Sequence, residues 1–192
     1  VIYSSDQGFF LGEHGFFDKR FMYEESLHMP FVIRYPEKIQ PGTVIDDIIS
    51  NIDFAPTLLD MVGVPIPDEI QGKSFFNNLK GETPKDWQKS MYYHYYEYPY
   101  YHRVQPHYGI RNQRYKLIHF YYDVDIWEFY DLQKDPSEMY NLINDKSCYA
   151  LIEHLKKELY DLKKGYGNTL TLEELRFMSD SDFGGLESSK KK

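Results

Sequence analysis

The chain has a single cysteine, Cys148, in 192 residues, so it can form neither an internal disulfide nor a paired-thiolate zinc site. Long apolar runs are also missing. Stretches such as Phe31-Val-Ile33 are strand-sized and end at Arg34, far short of the roughly 18 residues of a membrane-spanning helix. Positive charge is scarce: 22 Lys+Arg against 30 Asp+Glu leave a net charge of −8, and the one basic cluster is the tail Lys190 to Lys192. Neutralising phosphates requires a clustered basic surface, so nucleic acid is excluded as a partner. The chain opens Val1-Ile-Tyr3 with neither an initiator Met nor a leader-like basic region, and is expected to start mid-fold. Aromatics, by contrast, make up 18% of the residues, and 12 of the 19 Tyr fall between Tyr92 and Tyr130.

The pattern along the chain is α/β at first. Val1 to Asp6 reads as a short strand delivering Asp6 at its C-terminal end, where ligands gather in open α/β sheets. A loop with Gly8, Gly12 and Gly15 follows, then a short helix over about Arg20 to Leu27 that stops before Pro30. Phe31 to Tyr35 is a second strand. Asp53 is placed to N-cap a helix with Pro56 in its first turn, with Leu58, Leu59 and Val62 on one side and an end at Gly63. A loop-rich connector puts a subdomain boundary near residue 85. Beyond it, Met91 to Tyr98, Tyr108 to Arg111, Tyr115 to Tyr122 and Glu128 to Asp131 are β-branched or aromatic runs, expected as a roughly four-stranded antiparallel sheet. A helix opening at Ser147, with Leu151, Leu155, Leu159 and Leu162 on one face, covers that sheet. The expected units are therefore 1–85, an α+β subdomain at 86–178 and a frayed tail at 179–192.

Chemistry concentrates in the first twenty residues. Asp6 and Gln7 set a carboxylate beside an amide oxygen just past a strand, hard donors suited to calcium or magnesium. Taken bare, Ser5-Asp-Gln-Gly8 is an ordinary turn, and Lys19 by default a solvated surface lysine.

The ordered set of motifs is more specific. Ser5-Asp-Gln-Gly8, Leu11-Gly-Glu-His-Gly15, Asp18-Lys-Arg20, Tyr23-Glu-Glu-Ser26, Asp53-Phe-Ala-Pro-Thr-Leu-Leu59, Gln71-Gly-Lys-Ser74 and Tyr130-Asp-Leu through Glu138 together resemble the C-terminal half of the type I sulfatases. These belong to the alkaline-phosphatase-like superfamily. The resemblance implies the C-terminal part of that α/β fold followed by the small α+β subdomain. It implies calcium as the metal, with Asp6 and Gln7 among its ligands, and Lys19 as the lysine on the sulfate group. His14 is expected as loop support. The formylglycine nucleophile of these enzymes comes from a Cys/Ser-x-Pro/Ala-x-Arg motif, which is not in this chain: Cys148 is followed by Tyr149-Ala-Leu-Ile152, with no Arg in the motif position. The nucleophile and the remaining ligands are therefore expected from an N-terminal half of the same enzyme, and this piece alone is expected to be inactive.

The segment around Lys19, with His107-Tyr-Gly-Ile-Arg111, is similar to bacterial N-acetylglucosamine-6-sulfatases acting on glycosaminoglycans. That resemblance implies a sulfated carbohydrate substrate, with Asp18, Arg20, His102 and His107 binding the sugar and Arg111 contributing charge. It also implies a periplasmic, extracellular or lysosomal setting. The tyrosine-rich run admits two readings, an aromatic sheet core with phenol tips reaching water or a sugar-contacting rim. Two alternatives to a sulfatase stand: a phosphonate or phosphodiester hydrolase of the same superfamily, and a non-catalytic carbohydrate-binding lobe.

Overall fold

The computed structural model describes residues 1–98 and 102–179. Tyr100, Tyr101 and nearly all of the expected tail lie outside the described residues. The chain forms a four-stranded antiparallel sheet in the order β5 (Ser90–Tyr95), β6 (His107–Asn112), β7 (Tyr115–Phe120) and β8 (Ile126–Asp131), as its aromatic runs predict.

Strand alternation sorts these residues onto two faces. The pairing aligns Tyr92, Ile110, Leu117 and Phe129 in one row and Tyr93, Gly109, Ile118 and Glu128 in the next. The first row joins a core with Ile152, Leu155 and Leu159 of α4 (Tyr149–Gly165). Each fully buried side chain of this size contributes about 1.5–3 kcal/mol. The second row faces the N-terminal segment, where Ile118, Phe120 and Tyr130 pack with Phe10, Met22 and Tyr23. Gly109 makes that approach possible, because a Cβ there would stand 2.4 Å from the Leu117 carbonyl oxygen and 2.6 Å from the Met22 sulfur.

Before the sheet the elements are short. β1 (Ile2–Ser4) pairs antiparallel with β4 (Phe31–Ile33), and β2 (Phe10–Leu11) with β3 (Phe17–Asp18). A third core joins Ile39, Phe75, Leu79 and Trp87, with α3 (Phe76–Leu79) supplying its last turn.

Several expectations change. The helix anticipated from Arg20 is only α1 (Glu24–Leu27), because Met22 and Tyr23 are drawn out of helical register into the core facing the sheet. In α2 (Phe54–Met61), Pro56 and Thr57 are the buried side, while Leu58 and Val62 are exposed. Gly63 does end it, at φ 72°. Asp53 is not a solvent-facing cap: it is fully buried, and its carboxylate accepts from the backbone N–H of Ser50 at 2.8 Å, that of Lys73 at 2.9 Å and Gln88 Nε2 at 2.8 Å. At the start of α4 the cap is Asp145, which accepts from the Ser147 N–H at 2.9 Å ahead of a 3-10 turn. A helical stretch at 172–179, which the sequence pattern does not announce, adds Leu175 to the α4 core.

Candidate active site

The loop between β1 and α1 collects the residues singled out for chemistry. Just beyond β1, Asp6 receives a hydrogen bond from the Lys19 ammonium, and this contact holds the Asp6 carboxyl below the usual range. Asp6 is otherwise largely exposed, and Lys19 is mostly covered. The next residue, Gln7, points its amide Nε2 at the Ser26 hydroxyl, 3.4 Å away. Gly8 lies so close to α1 that a Cβ would stand 1.9 Å from the Glu25 carbonyl oxygen, and its N–H donates to the Ser26 carbonyl at 2.8 Å.

Positive φ angles at Gly12 (131°), His14 (54°) and Gly15 (74°) turn the chain back toward Asp18. His14 stacks on Tyr23 with ring centroids 4.4 Å apart and lies 3.6 Å from the Glu25 carboxylate. Asp18 itself is held at φ 131°, a conformation that L side chains rarely adopt. Such strain persists only where the surroundings over-determine it, and here they do. Asp18 meets Arg20 at 3.3 Å and His102 Nδ1 at 2.9 Å, while Arg20 donates to His102 Nε2 at 3.0 Å. A guanidinium has only donors, so Nε2 must accept, which puts the imidazole proton on Nδ1, facing Asp18.

His107 sits differently from the expected sugar contact. Its ring is fully buried on the loop face of the sheet, stacked near Phe21, Tyr93 and Tyr95, with Nδ1 2.8 Å from the Gln105 carbonyl. Burial lowers its pKa to about 4. The ring therefore lies beneath the Arg20-Phe21 segment as a neutral support, not on a rim. Arg111 is also engaged elsewhere, bidentate on Glu24 at 3.2 and 3.0 Å.

That pair belongs to a cluster of which the quoted motifs contain Glu24, Arg111 and Glu138 but not the central lysine. Lys116 is fully buried, its ammonium 2.9 Å from Glu24 and 2.7 Å from Glu138. Glu138 also accepts from the Glu24 backbone N–H at 2.7 Å, pinning the first turn of α1. Burial opposes ionisation of Glu24, but Lys116 and Arg111 outweigh it and hold the carboxyl at about 2. Glu138 is pushed up, because burial there outweighs Lys116.

The donor chemistry of Asp6 and Gln7 fits an oxygen-liganded metal. Among the described residues, no group of three or more His, Cys, Asp or Glu is arranged to hold one, so these two supply only part of a coordination sphere. The Lys19 ammonium is the cation that Asp6 holds here.

Residues 12–165 match the family model described as N-sulphoglucosamine sulphohydrolase, C-terminal. The chain belongs to that sulfatase family. It is 53% identical over 170 residues to N-acetylglucosamine-6-O-sulfatase of Bacteroides thetaiotaomicron, covering 84% of this chain and 30% of the relative. Among solved structures it is similar to a protein in complex with its substrate D-glucosamine-2-N,6-O-disulfate, with a TM-score of 0.87, 51% identity, and 91% of this chain and 36% of the other covered. It is also similar to a phosphonate monoester hydrolase from Silicibacter pomeroyi, with a TM-score of 0.75, 25% identity, and 85% of this chain and 34% of the other covered. The chain thus spans about a third of the length of the relatives it matches. Its fold is the C-terminal portion of the sulfatase, alkaline-phosphatase-like architecture, and membership in the family implies a metal and a formylglycine carried N-terminal to these residues. No helix among the described residues is long and apolar enough to cross a membrane.

Proposed function

We propose that this chain works as the C-terminal part of a calcium-dependent sulfatase that hydrolyses 6-O-sulfate esters on aminosugars of glycosaminoglycans. The observation that carries the reading is the convergence on one loop of Asp6, Gln7 and Lys19 with Asp18 and Arg20, which His102 meets from the connection between β5 and β6. Each part has a distinct task. Asp6 and Gln7 offer oxygens to the metal, and the Lys19 ammonium meets the ester's oxygens, stabilising charge that grows on the bridging oxygen. Asp18, Arg20 and His102 form a pre-set ring of donors and acceptors for sugar hydroxyls, with His107 supporting them from below and His14 bracing the loop. The formylglycine, held outside this chain, supplies the nucleophile.

An N-terminal half completes this arrangement. Thirteen of the twenty-two large exposed apolar side chains among the described residues lie between Val1 and Ile66, including Tyr3, Leu11, Phe17 and Val32. Exposed apolar side chains gathered in one part of the chain fit a surface that another body covers. The covering half brings the missing metal ligands, and a sulfated-glycan substrate places the enzyme in the periplasm, at the cell surface or in the lysosome.

The test is kinetic, in the full-length enzyme. Asp18→Ala and Arg20→Ala each remove a charged hydrogen-bonding group, worth about 10- to 150-fold, and should lower kcat/KM on a 6-sulfated aminosugar by that order. Unchanged values refute the sugar assignment. Phosphonate monoester cleavage without sulfate release supports the phosphohydrolase alternative, and inactivity toward both ester classes supports a non-catalytic lobe.

A further inference from the structure

Ser26 has no role in the chemistry so far, yet its side chain is fully buried at the point where three parts of the site meet. Its hydroxyl proton goes to the Lys19 carbonyl, 2.9 Å away. A hydroxyl has one proton, so toward Gln7 the Ser26 oxygen can only accept. It therefore meets the Nε2 side of the amide, at 3.4 Å. Tyr93 repeats the logic from the sheet: its hydroxyl proton goes to the Arg20 carbonyl at 3.2 Å, and its oxygen faces the same amide. Both hydroxyls give their protons to adjacent backbone carbonyls, which leaves only lone pairs to face the Gln7 amide.

An amide held by its nitrogen presents its oxygen on the other side. We propose that Ser26, assisted by Tyr93, is a positioning residue that fixes the Gln7 amide with Oε1 turned to the metal, and ties that orientation to the backbone carrying Lys19. The inference rests on the sulfatase reading above. Gln has one more methylene and one more torsion than Asn, so an unsupported Gln ligand would lose more rotamer freedom on binding. The two hydroxyls remove that freedom beforehand. α1, which carries Ser26, is in turn pinned at its N-terminus by Glu138.

The experiment is calorimetric titration of calcium into the chelator-treated full-length enzyme, with sulfate release measured alongside. Ser26→Ala should weaken calcium binding by about tenfold or more, the usual consequence of losing a group that orients a ligand, and Tyr93→Phe should act in the same direction. In a Gln7→Ala background both losses should shrink to less than about twofold, because coupled residues are not additive. Tyr93→Phe, on the sheet, carries the test if Ser26→Ala does not fold. Calcium affinity unchanged in both variants overturns the proposal, as does an equal loss with and without Gln7. Calcium binding and sulfate release by the unmodified enzyme, with either of those outcomes, refute this inference alone. An enzyme that neither binds calcium nor releases sulfate refutes the sulfatase reading and the inference with it.

Discussion

Lys116→Met tests whether the buried charge cluster holds the loop to the sheet. The substitution keeps an unbranched apolar stem and removes the ammonium. In the native protein two cations, Lys116 and Arg111, balance two carboxylates, Glu24 and Glu138. In the variant Glu24 keeps its bidentate Arg111, but Glu138, fully covered, keeps only the Glu24 N–H. Breaking a buried pair by removing one partner costs about 3–5 kcal/mol, and that loss is expected at pH 8. The pH dependence supplies a second check. Burial already raises the Glu138 pKa, and without Lys116 it rises further. A folded pKa above the unfolded value means stability that is present at low pH and lost as pH rises. Between pH 8 and pH 5 the variant should therefore recover up to about 1.4 kcal/mol per pH unit below the raised pKa. Urea unfolding at both pH values measures this, with Glu153→Gln on the Lys156–Glu153 pair of α4, where the Glu153 carboxylate stands in solvent, as a screened control that should cost much less. A loss at pH 8 no larger than the control's, or one that grows at pH 5, refutes the reasoning.

Two further outcomes are expected. Gly8→Ala places a Cβ 1.9 Å from the Glu25 carbonyl oxygen, so the Gln7 turn must move away from Ser26, and sulfate release by the full-length enzyme should fall by at least about 100-fold, since a 1 Å misplacement costs that much. An active variant rules out the tight approach. Asp53→Ala leaves three donors without their buried acceptor; at about 1–3 kcal/mol for each unsatisfied group, unfolding should require at least about 3 kcal/mol less. A loss under about 1 kcal/mol would show that water replaces the carboxylate.

The sheet was legible because its strands are β-branched or aromatic runs separated by turn residues, whereas its register was not, because both faces are covered and no alternation marks them. α4 was legible from its leucines recurring on one face at a period of 3.6. The motif residues of the loop were legible only as a set: Asp6, Gln7 and Lys19 carry no local signal separating a site from a turn. Ser26 and Glu138 stand inside quoted motifs, yet nothing in sequence spacing shows that they meet Gln7 and Glu24 across separations of 19 and 114 residues. His107 misled because a histidine beside tyrosines reads the same on a rim as in a core; strand parity, set by pairing with Phe120, turned it inward. The helix expected at Arg20 failed because Met22 and Tyr23 gain more from burial against the sheet than from completing a turn.

Composition and periodicity were enough to establish an acidic α/β chain with an antiparallel sheet, since those properties depend on near neighbours, and the ordered motifs carried its resemblance to the sulfatases. Which side chains touch was decided only when the sheet's second face closed on the loop. Burial there assigns hydrogen-bond direction and charge pairing, turning Ser26 into an acceptor for Gln7 and Lys116 into the counter-charge of Glu24 and Glu138. Those contacts join residues far apart in the chain, and only the packed fold brings them within bonding distance.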